Sequence, residues 1–254
     1  MSSAIELDRV AFGYPSEAPE RALFANVSLA IDYGQITCLV GPSGCGKTTL
    51  LNLLAGFIIP TSGELRFSAG HSGRPVGYIF QNDALLPWRS IRANLGLPAE
   101  LQGRPAASDD ARIAEYMDAF NLEASVLRQF PEHLSGGMRQ RIAIIQALLA
   151  DPDILLLDEP FGALDFFTRL RLEAEFRSLI DTHGKAAVLV THDIDEAIAV
   201  GDRVIVMGRA RRGIVADIRI DLEEPARPGP EAVRGHRLFG RYFTAIWESL
   251  RDAV

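Results

Sequence analysis

GPSGCGKTT, Gly41 to Thr49, carries the pattern G-x-x-x-x-G-K-[ST], with Gly41, Gly46, Lys47 and Thr48 at the defining positions. TCLV, Thr37 to Val40, precedes it as a short β-prone run, and TLLNLLAGF follows as an apolar, helix-prone segment. Strand, glycine-rich turn and helix is the arrangement a phosphate cradle needs. Gly44 and Gly46 let backbone N–H groups close around phosphate oxygens without Cβ clashes. The start of the following helix offers free N–H groups and the positive end of its dipole to an anion. Lys47 is placed to reach the β- and γ-phosphates, and the Thr48 hydroxyl to ligate Mg²⁺. So short a pattern also arises by chance, so its meaning depends on the rest of the chain.

Further along, ILLLDEP (Ile154 to Pro160) sets four apolar residues before two acids. A run without alternation predicts a strand buried on both faces of a parallel sheet. Asp158 and Glu159 fall at its C-terminal end, where ligands bind in open α/β sheets. Acids buried there are costly unless a cation or a reactive ligand uses them. AVLVTHD repeats the pattern, with His192 projecting from the strand end, and DRVIVM (Asp202 to Met207) predicts a further strand. Between these regions lies FPEHLSGGMRQRIAIIQALLA. Ser135 is a good N-cap, Gly136 and Gly137 form the first turn, and the helix runs to Ala150 before Asp151-Pro152 ends it. This is a second helix start able to take a phosphate.

The first 35 residues read as β-structure. IELDRVAFGY alternates around Ile5, Leu7, Val10 and Phe12, and Phe24 to Ile31 predicts a second strand. Tyr14, beside Gly13 and Pro15, is either an ordinary loop tyrosine or an aromatic platform for a purine ring. ELRFSA and GYIFQ predict strands, the second ending at Gln81. Residues 89–150 are mostly helix-like, with a start near Ser90 and an exposed linker at Gln102 to Asp110, and read as a helical subdomain inserted into an α/β core. After Gly208, RARRG predicts a basic turn, IVADIRIDL a strand and EEPARPGP a linker. Val233 to Leu250 then has helical spacing of apolar residues, with arginines at 234, 237, 241 and 251. Three readings are open for this segment: packing on its own domain, contact with another chain, or a membrane-surface helix.

The chain has 254 residues, 48% of them hydrophobic, enough for one large α/β core. A net charge of −7 disfavours a sequence-independent nucleic-acid surface, so no nucleic-acid partner is expected. Cys38 and Cys45 form neither a zinc-type cluster nor a disulfide framework, which fits a reduced, cytoplasmic setting. Cys45 lies inside the phosphate loop, so it is either chemically accessible or a bystander. Met1 to Leu7 lacks the features of a secretory signal, and no stretch approaches the ~20 apolar residues of a membrane span. The expected protein is soluble, or sits on a membrane by holding another subunit.

The order Tyr14, GPSGCGKTT, Gln81, LSGGM, ILLLDEP, GALD, His192 resembles the ATP-binding subunits of ABC transporters as far as about Met207. The phosphate loop alone marks only a superfamily; LSGG before this strand is much more specific. The resemblance implies an α/β P-loop NTPase (RecA-like) core, with an N-terminal antiparallel β subdomain and the helical insertion. It implies an ATPase domain over residues 1–210; residues 211–254, outside the resemblance, are expected from their own pattern to be a strand, linker and amphipathic helix, with packing on the domain the leading reading. By resemblance, Tyr14 stacks on adenine, and Gly41, Pro42, Ser43, Gly44, Cys45, Gly46, Lys47, Thr48 and Thr49 hold ATP and Mg²⁺. Gln81 contacts the metal and the attacking water and senses the membrane subunit. Asp158 holds the metal through water, Glu159 is the general base, and His192 contacts the γ-phosphate. Ser135, Gly136 and Gly137 cap the nucleotide of an opposite subunit, and Asp165 of GALD helps join the two sites. Two facing copies, identical or a related pair, would then enclose two ATP molecules and exclude water. Met138, where glutamine is commoner, and Gln146, where arginine is usual, depart from the family.

FQNDALLPWRSIRANL, DEPFGALD and THDIDEAI look like the nitrate, sulfonate and taurine importer branch. That resemblance implies a peripheral subunit on the cytoplasmic face of the inner (plasma) membrane. It would drive import of a small anion through an integral membrane permease, supplied by an extracytoplasmic substrate-binding protein. Leu86, Pro87 and Trp88 either record the membrane partner or pack internally. Other readings keep the ATPase with another cargo, such as a pyrimidine vitamin precursor, or make it an exporter. A soluble ABC ATPase of DNA repair or translation is disfavoured by the single cassette, the acidic balance and the absence of sustained heptads between Thr48 and Ser135. A non-catalytic scaffold is disfavoured by the presence of Glu159 and His192.

Overall fold

The alternation around Ile5, Leu7, Val10 and Phe12 steps by three at one place, and the computed structural model shows why. It describes residues 3–13, 23–68, 76–81, 84–162, 164–209, 212–224 and 226–253. Strand β1 (Ser3–Phe12) pairs antiparallel with β2 (Phe24–Asp32), and the register shifts between Leu7 and Val10. Arg9 there has φ 49° and donates its backbone N–H to Ser28 Oγ at 3.0 Å. The extra residue of this bulge returns Val10 to the buried face that Leu7 occupies.

β3 (Ile36–Val40) is buried throughout and leads into α1 (Lys47–Leu54). β4 (Ser62–Phe67) pairs antiparallel with β1, giving the order β2-β1-β4. β5 (Val76–Ile79) is followed by α2 (Ile91–Leu95), α3 (Leu97–Leu101), α4 (Asp110–Ala119) and α5 (Gly136–Leu149). The core resumes with β6 (Ile154–Asp158), α6 (Phe166–His183), β7 (Ala186–Val190), α7 (Ile194–Val200), β8 (Arg203–Gly208) and β9 (Gly213–Arg219). α8 (Pro230–Arg234) and α9 (Phe239–Asp252) close the chain. Among the described residues, the second sheet has the order β5-β6-β7-β3-β8-β9, parallel except for β9.

Alternate residues of this sheet enter two apolar layers. Cys38, Val40, Leu155, Leu157, Leu189 and Val204 pack with α5, α6 and α7, whereas Leu39, Leu156, Val188, Val190 and Ile205 pack with α1 and the antiparallel sheet. Val190 is the register partner of both Leu39 and Asp158, so the C-terminal ends of β3, β6 and β7 lie level. That shared edge positions the site.

Two segments differ from expectation. Gln102 to Asp110 is not simply an exposed linker, because Asp109 is 1% exposed and held by Arg104 at 2.8 and 2.9 Å. The apolar spacing of Val233 to Leu250 spans two helices. Gly235 ends α8, and His236 Nδ1 accepts the Leu238 N–H at 3.3 Å before α9 begins. α9 lays Ile246, Phe239, Tyr242 and Leu250 on the core, while Phe243 and Trp247 face outward. Among the described residues, no helix is long and apolar enough to cross a membrane.

Candidate functional site

The loop after β3 is shaped by two glycines. Gly46 caps α1 at φ 102°, and Gly44 has φ 80° with open space where a Cβ would stand. The chain therefore curls without filling the mouth of its own cradle. Lys47 Nζ donates to the carbonyl oxygens of Gly41 (2.8 Å) and Pro42 (3.2 Å). An open depression of about 410 Å³ lies above, lined by Leu23, Ser43, Gly44, Gly46, Lys47, Thr48, Thr49 and Glu159. The Cys45 side chain does not face it. It is 1% exposed beneath the loop, and burial pushes its thiol up, so the accessible-cysteine reading is corrected to a buried packing role.

Asp158, at the end of β6, accepts the Thr48 hydroxyl at 3.3 Å. Burial raises its carboxyl, and the charge of Glu159 adds to this; Thr48, Lys47 and Tyr78 act in the opposite direction. A half-buried carboxylate held up in this way gains from a cation beside it. Tyr78, which the sequence reading did not single out, donates to Asn52 Oδ1 at 3.3 Å, and burial followed by Asp158 raises its phenol.

Glu159 adopts φ 48°, a left-handed conformation that is uncommon outside glycine, and its N–H is tied to Val190 O at 3.0 Å. This turn swings the carboxylate to meet side chains from the neighbouring strand ends. Gln81 Nε2 donates to Glu159 Oε2 at 3.2 Å, and His192 Nδ1 lies 3.5 Å from the same oxygen. Gln81, Glu159 and His192 thus converge from the ends of three adjacent strands, and Glu159 joins the group to the lining of the depression above Lys47.

Ser135, Gly136, Gly137 and Asp165 are not among the residues lining that depression. Ser135 Oγ accepts the Met138 N–H at 3.3 Å, and Ser135 and Gly136 are exposed. Gly137 is buried where α5 meets α6; a Cβ there would stand 2.6 Å from Thr168 Cγ2. Asp165 caps α6 through the Thr168 N–H at 3.1 Å, and that bonding lowers its carboxyl. Tyr14 lies outside the described residues.

Asn94 is a residue that sequence reasoning missed. It is 0% exposed, accepts the Leu86 N–H at 2.8 Å, and donates to the carbonyls of Leu86, Arg89 and Ser90 at 3.0–3.1 Å. It thereby fixes the turn after Gln81 onto α2. Gln146 joins the same region from α5, donating to Asn94 O at 2.8 Å. Trp88, on this turn, is 72% exposed.

The family model described as ABC transporter matches residues 24–162, more than half of the chain. The chain belongs to the ABC transporter family. This ABC ATPase is 41% identical over 210 residues to the aliphatic sulfonates import ATP-binding protein of Burkholderia cenocepacia, covering 81% of this chain and 76% of that protein. It is 35% identical over 231 residues to the taurine import ATP-binding protein of Pseudomonas entomophila, covering 90% and 88%. Among solved structures, an ATP-binding cassette in a dimeric post-hydrolysis state with ADP and Pi superposes with a TM-score of 0.74 and 30% identity. That match covers 85% of this chain and 99% of the other. The cassette fold, with its antiparallel β subdomain beside a parallel P-loop sheet, is therefore established for this chain.

Proposed function

We propose that this ABC ATPase hydrolyses ATP as a dimer to energise import of a small anion, of the sulfonate, taurine or nitrate type, through a separate membrane permease. The observation that carries the reading is the meeting of Gln81, Glu159 and His192, with Glu159 in the lining of the Lys47 depression. ATP with Mg²⁺ fits the residues present. The open cradle at Gly44 accepts phosphate oxygens, and the Thr48–Asp158 pair gives two hard oxygen donors beside it. Among the described residues, no cluster of three His, Cys, Asp or Glu side chains could hold a metal ion. Thr48 and Asp158 would hold a divalent cation beside the phosphates. When bound, Mg²⁺ neutralises charge on the transferring phosphoryl group.

The chain's own residues divide the remaining work. Lys47 turns from the Gly41 and Pro42 carbonyls to the phosphates and orients them. Glu159 takes the proton of the attacking water as general base. Gln81 positions that water, and His192 holds the Glu159 carboxylate and reaches the γ-phosphate. Tyr14 supplies the platform for the adenine.

The exposed N-terminus of α5 supports a site shared between two copies. Ser135 and Gly136 are exposed and do not line this chain's own phosphate depression, so they serve the nucleotide of a facing subunit, with Asp165 at the junction. The import reading draws on the relatives named for aliphatic sulfonates and taurine. The exposed Trp88, on a turn that Asn94 fixes beside Gln81, fits a surface for the permease on the cytoplasmic side of the membrane. An extracytoplasmic binding protein would deliver the cargo to that permease. In this arrangement, residues 89–150 form the helical subdomain and residues 211–254 a C-terminal appendage on the ATPase domain.

The test is Glu159→Gln. Its turnover is expected to fall by on the order of 100-fold or more while ATP with Mg²⁺ drives it to a stable dimer in light scattering. Ser135→Arg added to it is expected to abolish the dimer. Normal turnover of Glu159→Gln would remove the general base, and an unaffected dimer in the double variant would remove the shared site.

A further inference from the structure

Among the described residues, two apolar surfaces without a partner flank the two faces that an ATP-bound dimer brings together. The first is on α6. Phe166 and Phe167 are 62% and 80% exposed, with ring centroids 5.5 Å apart at 77°. Their neighbour Thr168 is wedged against Gly137, so the aromatic pair stands beside the Ser135–Gly137 helix start. The second is a groove of about 590 Å³ between the phosphate loop and α9, lined by Gly41, Pro42, Trp247, Leu250 and Arg251. Trp247 is 58% exposed at its wall. Contiguous exposed apolar patches rimmed by polar residues mark interaction sites.

We infer that Phe166 and Phe167 of one copy seat in the Pro42–Trp247–Leu250 groove of a second copy. The inference rests on the dimer reading above. If the α5 N-terminus of one copy faces the phosphate loop of the other, the aromatic pair next to the former is carried to the groove next to the latter. Charge follows the same pairing. Asp165, adjoining Phe166, carries an exposed carboxylate, and Arg251 stands at the groove. Among the described residues, the ion pair of Arg251 is a 3.8 Å approach to its own neighbour Asp252. Two-fold symmetry makes the contact twice in each dimer. The C-terminal helix, remote from the phosphate chemistry, then becomes part of the closure that ATP favours, because open copies return four phenylalanine rings to water.

The experiment uses Glu159→Gln protein. One batch carries Phe167→Cys and another Trp247→Cys; the native Cys38 and Cys45 are buried. Mixed with ATP and Mg²⁺ and oxidised with copper phenanthroline, the two batches are expected to give a covalent dimer that either batch alone does not. Separately, Phe167→Ser and Trp247→Ala are each expected to weaken ATP-driven dimerisation of the Glu159→Gln chain by at least about tenfold. Their affinity for a fluorescent ATP analogue should stay within about twofold of the parent. An ATP-driven dimer with no cross-link, and with both variants dimerising like the parent, overturns this contact and leaves the dimer standing. A Glu159→Gln chain that stays monomeric with ATP overturns both. Trp247→Ala losing nucleotide affinity along with dimerisation would move Trp247 into nucleotide binding and also overturn the contact.

Discussion

Replacing Glu196 by glutamine removes a charge that the fold holds at a cost. Glu196 lies on α7, three residues beyond Asp193, and is 3% exposed. Its Oε1 has no hydrogen-bond partner among the described residues. Glu173 of α6 and Asp193 face it, Cys38 lies on its β3 side, and the Thr191 hydroxyl and then Arg169 act in the opposite direction. Burial first, then these two acids, push its carboxyl up to about 8 from an ordinary 4.5. Between those values the native chain keeps a proton that the unfolded chain has released. Stability therefore falls as pH rises, by up to about 1.4 kcal/mol per pH unit, and the loss levels off above about pH 8. The full window corresponds to roughly 4–5 kcal/mol, and relaxation of the buried site brings the expected loss to about 3 kcal/mol. Glu196→Gln lacks this titration. In urea unfolding without nucleotide, it should match the parent within about 1 kcal/mol at pH 5 and exceed it by about 3 kcal/mol at pH 8.5, with an unchanged m value. A residual slope from Glu173 remains in both, since burial raises that group as well. Parallel pH profiles for parent and variant would refute the reasoning.

Three further outcomes follow from the same contacts. Lys47→Ala should weaken ATP binding at least about tenfold in a fluorescent-analogue titration, and unchanged affinity would remove the phosphate-loop role. Asn94→Ala leaves the Leu86 N–H without its acceptor; it should lower stability by roughly 2–3 kcal/mol in urea and spare nucleotide affinity. Arg234→Met strips fully buried Glu173 of a cation at 2.7 Å and should cost about 3–5 kcal/mol, more at pH 8 than at pH 5. A neutral result in thermal unfolding would show that α8 does not hold that acid.

Much of the core was legible because its strands are runs rather than alternations. Ile154 to Leu157 and Ala187 to Val190 can only be buried on both faces, and the acids and histidine that end them mark the site edge. What stayed hidden depends on tertiary partners. A polar stretch such as Gln102 to Asp110 reads as solvent-exposed until Arg104 is seen to neutralise Asp109 inside it. The break between α8 and α9 is masked because apolar spacing continues across Gly235 and His236. Asn94 gives no local signal, since its acceptors and donor lie on a turn whose path the sequence does not state. Tyr78 and Leu23 join the site only through packing. Ser135 was legible in a simpler way, as the residue three positions before the N–H group it caps, whereas the capping of α6 by Asp165 emerged only from the structure.

The most direct measurement is affinity purification of the tagged protein from gently solubilised native membranes, with every co-purifying chain identified and ATP turnover measured in the same fraction. A multispanning permease that co-purifies, is lost on Trp88→Ala, and carries ATP-dependent uptake of a small sulfonate after reconstitution is the predicted result. A soluble partner recovered in repeated trials, with no membrane chain present and turnover unaffected by membranes, would contradict the account.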